Sequence, residues 1–137
     1  MNLCLECRMP TKRSFYKYCS NKCQWRYQYT KYIQEWKRGI NTGGRGIHAK
    51  NISKHLKRFL IEKNGDRCSI CSWNEKHPST HKIPLEVDHI DGNADNNCEN
   101  NLRLICPNCH SLTPHFKNLN RGKGRKWRLE YIKSRKI

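Results

Sequence analysis

Between Leu85 and His110 the sequence reads LEVDHIDGNADNNCENNLRLICPNCH. Asp88 and His89 stand side by side in a short apolar run, Asn101 leads into a second such run, and Cys106, Cys109 and His110 close the segment. A carboxylate oxygen and an imidazole nitrogen suit a hard divalent cation that keeps several waters. Imidazole is also the side chain that most readily takes a proton near neutral pH. A lone histidine on a strand is more often structural, but an Asp-His pair bracketed by cysteines in a strongly basic chain shifts that balance towards catalysis.

The cysteines provide the bracket. Cys68 and Cys71 are spaced C-x2-C, and so are Cys106 and Cys109. Four thiolates in this arrangement can close around one Zn²⁺, leaving no position open for substrate, so that metal is expected to be structural. It would enclose Asp88, His89 and Asn101 and would fix the backbone carrying His110. Cys4, Cys7, Cys19 and Cys23 form a second quartet near the start of the chain. The opening residues, MNLCLECRMP, lack the apolar core of a secretion signal, which points to a cytoplasmic location where thiols stay reduced and paired cysteines hold metal. Cys98 is the odd thiol and reads as a free cysteine.

Several elements must position these groups. Leu85 to Ile90 suits an edge strand, on which Asp88 and His89 point to opposite faces, so that one can share a cation with His110 while the other faces outward. DGNADNN is turn chemistry, and Leu102 to Ile105 makes a second strand. Pro107 suits the first turn of a helix running through about Asn118. Upstream, Asn51 is a plausible N-cap for a helix presenting Ile52, Leu56, Phe59 and Leu60 on one face and stopping at Asn64-Gly65. Trp25, Tyr29, Ile33 and Trp36 form an apolar stripe on an earlier helix that should stop near Gly39. The loop RMPTKRSFYKY carries Phe15, Tyr16 and Tyr18. Its rings are expected to pack the small core first and to stack on bases only as a second role.

These elements divide the chain into a Cys4 zinc-binding module with its helix (1–38), a Gly-rich basic linker (39–50), a second zinc-stabilised domain (51–120) and a basic tail (121–137), where Trp127, Tyr131 and Ile132 could anchor a short helix. Lys and Arg number 28 against 11 Asp and Glu, a net charge of +17. That excess calls for a polyanionic partner, with nucleic acid ahead of membrane or of any small-molecule substrate. Lys37, Arg38, Arg45, Lys50, Lys54, Lys57 and Arg58 are the candidate contacts. No run approaches the roughly 20 apolar residues of a membrane span.

The sequence VDHI, the DGN turn, NNLRLICPNCHSLT and the enclosing pair of C-x2-C knuckles together resemble the HNH endonucleases, over about Cys68 to Asn118. The leading CLEC…YCSNKC, the tryptophan-bearing helix and the Gly-rich linker resemble, less specifically, the first part of small phage-type members. The resemblance implies an α+β chain with a ββα-metal domain behind a Cys4 module, and a metal-dependent endonuclease that nicks or fully cleaves double-stranded DNA. It implies that His89 is the general base and that Asp88 and His110 hold one divalent cation, Mg²⁺ or Mn²⁺. Asn101 would hold the hairpin loop in shape, with Asn97 and Asn100 as competitors for that role. Two structural Zn²⁺ ions complete the cofactors. The setting implied is a bacterial host cytoplasm, and a homodimer or accessory phage proteins are compatible partners. Some members carry another histidine four residues beyond the helix ligand; here that position is Pro114, and His115 is one residue out of step. The competing readings are a non-catalytic zinc-containing nucleic-acid-binding regulator and an activity directed at RNA.

Overall fold

A computed structural model describes residues 2–44, 51–120 and 133–134. The chain forms two compact units, Met1–Thr42 and Gly43–Ile137. The expected tail helix around Trp127, Tyr131 and Ile132 lies outside the described residues.

In the first unit, the Cys4–Cys7 knuckle is a tight turn. The Cys4 N–H donates to the Met9 carbonyl (2.8 Å), and Arg8 turns the chain back at a left-handed φ of 63°. Helix α1 spans Asn21–Lys37. It starts where it does because the Ser20 side chain caps it, accepting from the Cys23 N–H at 3.2 Å. Gly39, at φ 75°, ends it by donating to the Trp36 carbonyl. Ile33 and Trp36 are buried, but Trp25 is 65% exposed. The apolar stripe therefore covers only the C-terminal half of α1. Its first turn carries Cys23 and is held by the cysteine cluster, so no aromatic anchor is needed there. The expected packing of the 8–18 loop also needs correction. Tyr18 meets Tyr27 at a tilt, with centroids 5.5 Å apart, whereas Phe15 and Tyr16 are 70% and 40% exposed.

In the second unit, helix α2 runs Lys54–Asn64, capped by the Ser53 hydroxyl on the Leu56 N–H at 3.1 Å. The cap is Ser53 and not Asn51, so Ile52 stays outside the helix and bridges Gly44 instead. Leu56 and Leu60 are fully buried with Leu104 and Ile105, and Gly65 ends the helix at φ 86°.

Strands β1 (Glu86–His89) and β2 (Leu102–Ile105) pair antiparallel, with Glu86 opposite Ile105, Val87 opposite Leu104, Asp88 opposite Arg103 and His89 opposite Leu102. The Ser69 N–H donates to the Leu104 carbonyl at 2.9 Å, tying the third knuckle to β2. Helix α3, Pro107–Ser111, is much shorter than the expected run to Asn118. Pro114 disfavours helical backbone at Thr113 and lacks an N–H. The Ser111 and Thr113 hydroxyls meanwhile take the Asn108 and His110 carbonyls at 2.7 and 2.9 Å. A separate 3-10 turn follows at Lys117–Asn120. The architecture is thus α+β, with one small hairpin, three α-helices among the described residues and two cysteine clusters.

Candidate active site and metal centres

Among the described residues, Cys4, Cys7, Cys19 and Cys23 form one group and Cys68, Cys71, Cys106 and Cys109 another, with the sulfurs of each group all within 4.8 Å of one another. Tetrahedral Zn–S bonds of about 2.3 Å place neighbouring sulfurs about 3.8 Å apart. The observed Cys7–Cys19, Cys19–Cys23 and Cys71–Cys106 separations are 3.5, 3.6 and 3.7 Å, well beyond a disulfide bond.

Charge distribution within each quartet fits a cation. Burial pushes the Cys4 thiol up, but the backbone N–H groups of Cys7, Cys19 and Glu6 outweigh it and bring the group down to about 6. Cys68 behaves likewise: burial opposes, the N–H groups of Cys71, Cys106 and Ile70 prevail, and the value falls to about 6. Their neighbours resist a second negative charge. Cys19 is pushed up to about 12, chiefly by hydrogen bonding with Cys7 and Cys23. Cys109 also rises to about 12, through burial and then Cys106 and Cys71. Four sulfurs this close ionise together only around a soft cation, and closed S₄ sites of this kind suit Zn²⁺. Cys98 is exposed and lies outside both groups.

Within the second quartet's bracket, the hairpin and α3 bring Asp88 and His110 together. The Asp88 Oδ1 lies 4.0 Å from His110 Nε2. Asp88 is buried, at 6% exposure, and its other oxygen accepts from Arg103 Nε at 2.8 Å, directly across the ladder. Such a partner offsets the hydration a carboxylate loses on burial. On the same strand face, two residues away, the Glu86 carboxylate meets His110 Nδ1. In the tautomer that donates from Nδ1 to Glu86 alone, Nε2 on the side of Asp88 is the nitrogen left to accept or to ligate. Phe116 packs against the ring at 5.3 Å between centroids and fixes its plane.

His89 points to the opposite face of β1, where Nε2 contacts the Asn97 Oδ1 at 2.8 Å. An amide oxygen only accepts, so the proton of the neutral ring sits on Nε2 and Nδ1 carries the free lone pair. The intervening loop is organised by Asn101, which is 7% exposed. Its Oδ1 accepts from the Asp91 N–H at 3.0 Å, and its Nδ2 donates to the Asp91 Oδ1 at 2.9 Å and the Asn96 carbonyl at 2.8 Å. Asp91 also accepts from Asn93 N–H and Asn96 Nδ2, each at 2.8 Å. The Asn96 side chain above all, then the Asn93 N–H, hold its carboxyl below 3.8 against the effect of burial. Lys63 Nζ reaches Glu99 at 2.9 Å and ties the end of the loop to α2.

Glu86, Arg103 and Phe116 did not stand out in the sequence, and Asn97, a candidate for the loop-support role, instead meets His89. Period-two spacing from Asp88 was the available signal for Glu86, whereas the contacts of Arg103 and Phe116 depend on pairings between separate elements. Of the basic residues singled out, Lys54, Lys37 and Arg38 are exposed. Lys57 Nζ donates to the Leu85 carbonyl at 2.9 Å and Arg58 pairs with Glu62 at 2.9 Å, so both heads are engaged within the unit. Arg45 and Lys50 lie outside the described residues.

A two-stranded hairpin thus leads into a short helix, with Asp-His on the first strand, His on the helix and a cysteine quartet at both ends. The chain is 47% identical over 71 residues to the H-N-H endonuclease F-TflIV of Escherichia phage T5. The match covers 52% of this chain and 29% of that protein, so the chain spans less than a third of its relative. No family model and no solved structure matches. No helix among the described residues is long and apolar enough to cross a membrane.

Proposed function

We propose that this protein is a metal-dependent DNA endonuclease of the HNH type. The observation that carries the proposal is the convergence of Asp88 Oδ1 and His110 Nε2 at 4.0 Å, with His89 held on the other face of the same strand. Asp88 and His110 would hold one divalent cation, Mg²⁺ or Mn²⁺, and their mixed oxygen and nitrogen donors fit such an ion. When bound, the cation supplies Lewis-acid stabilisation of charge on the scissile phosphate and the leaving oxygen.

The chain's own residues do the rest. His89 Nδ1 takes the proton of the attacking water, while Asn97 holds the ring by its Nε2 proton. Asn101 keeps the loop that carries Asn97 in shape and so acts as a support. Glu86 orients His110, and Arg103 positions the Asp88 carboxylate. The +17 charge favours a polyanionic substrate, and double-stranded DNA is the substrate that the endonuclease class implies. Residues 1–38 would supply substrate affinity, 39–50 link, 51–120 perform the chemistry and 121–137 add a basic tail.

The test is cleavage of supercoiled plasmid with Mg²⁺ or Mn²⁺. His89→Ala abolishes cleavage and leaves DNA binding within a few-fold. Cleavage retained by that variant refutes the base assignment, and no cleavage by the wild-type protein with either cation favours a purely binding role.

A further inference from the structure

From the exposed rings of the first unit we infer a stacking platform for unpaired nucleobases, formed by Phe15 and Tyr16 on the loop between the two cysteine knuckles. The inference rests on the nucleic-acid reading above and assigns one part of that substrate to this loop. Phe15 and Tyr16 meet edge to face, with centroids 4.8 Å apart and planes at 85°. They leave ring surface open to solvent, at 70% and 40% exposure. Arg13 lies 5.9 Å from both ring centroids.

The exposure does not come from a loose loop. The buried Thr11 shares its one hydroxyl proton between the Asn2 and Arg13 carbonyls, at 3.1 and 2.9 Å. The Asn2 side chain holds the Ser14 carbonyl, and the Tyr16 N–H closes a turn on Arg13 at 3.0 Å. The Leu5 N–H takes the Lys17 carbonyl at 3.0 Å. Backbone is therefore pinned on both sides of the two rings, which are presented instead of folded in. Single exposed apolar residues are ordinary. Two aromatics fixed edge to face on a rigid turn beside a guanidinium are what a sequence-tolerant base platform requires.

Charge complementarity identifies the occupant. The rings border an open cleft of about 640 Å³ that Lys12 and Lys17 also line. The carboxylates of this unit, Glu6 and Glu35, face Arg26 and Lys31 at 3.8 and 3.9 Å. No carboxylate pairs with Lys12, Arg13 or Lys17 among the described residues, so the cleft keeps its positive charge for an anion. Aromatic faces with cations at phosphate reach match a nucleic-acid strand with bases turned out of the duplex, more closely than a protein surface.

The experiment compares the full-length protein's affinity for short oligothymidylate with that for an equal-length strand bearing abasic sites. It is done without added divalent cation, so that cleavage does not enter. Both probes carry the same phosphates, so a preference for thymidylate reports bases alone. Stacking on one aromatic is worth about 5- to 150-fold per base. We expect a preference within that range, its loss in Phe15→Ala/Tyr16→Ala at unchanged zinc content, and its return in Phe15→Trp/Tyr16→Trp. Salt dependence should be the same for all three proteins, because the rings carry no charge. Equal binding of the two probes by the wild type, or a preference that survives the double alanine change, overturns the inference. Plasmid cleavage reports separately on the endonuclease reading: a base preference without cleavage sinks only that reading, and cleavage without a base preference sinks only the platform.

Discussion

Truncating Asn101 to alanine isolates what holds the loop between the strands. The side chain makes three hydrogen bonds, one accepted from the Asp91 N–H and two donated to the Asp91 carboxylate and the Asn96 carbonyl. Each is worth about 1 kcal/mol net, and partial access of water to the Asn96 carbonyl trims the total, so Asn101→Ala should cost about 2–3 kcal/mol. For a domain of this size that lowers the melting midpoint by about 10–20 °C. The sharper assay is amide hydrogen exchange, because the loss is local: the Asp91 N–H should exchange roughly 30- to 150-fold faster. Asn101→Asp provides the control. It keeps the acceptor, loses both donations and places a second carboxylate beside Asp91, so it should be worse than alanine at pH 7 and recover as acid protonates the pair. If the Asp91 amide in Asn101→Ala stays within about 3-fold of wild type, the side chain is not what organises the loop.

Three further outcomes follow from the geometry. Asp91 has a depressed carboxyl pKa, so its contribution to loop stability is complete above 3.8 and is lost as pH falls through the lower folded value; exchange of the loop amides should accelerate over that interval in the wild type but not in Asp91→Asn. Glu86→Ala frees the His110 ring and should raise the Mn²⁺ concentration for half-maximal cleavage by about 10- to 100-fold, with Glu86→Gln recovering part of it; an unchanged Mn²⁺ titration removes Glu86 from the site. Two sulfur quartets predict two tightly held zinc ions per chain, and native mass spectrometry of intact protein finding fewer than two would contradict the pair of clamps.

What the sequence made legible was whatever depends on local chemistry or fixed spacing. Both quartets follow from cysteine intervals, β2 was bounded correctly at Leu102–Ile105, and Gly39 and Gly65 stop their helices because only glycine takes those positive φ values freely. Element starts were harder. Asn51 and Ser53 are both good caps, and only the position of Leu56 in the core chooses Ser53. Alpha-helix propensity after Pro107 hid the stop imposed by Pro114 and two carbonyl-seeking hydroxyls. The placements of Phe15, Tyr16 and Trp25 ran against hydrophobicity, which does not reveal which apolar residues a small module has no room to bury. At the candidate site, the Asp88–Arg103 and Glu86–His110 pairings join residues far apart in the chain, and strand register and the landing of α3 decide them.

Asp88 gives one oxygen to Arg103 and turns the other towards His110. The hairpin thus carries its own charge pairing across the ladder. A divalent cation held as proposed by the remaining carboxylate oxygen and one imidazole would have most of its coordination sphere left to water and to phosphate oxygens. On the proposed reading the two kinds of metal site would differ in permanence: four thiolates would hold zinc as part of the fold, whereas two protein ligands would hold the second ion far more loosely.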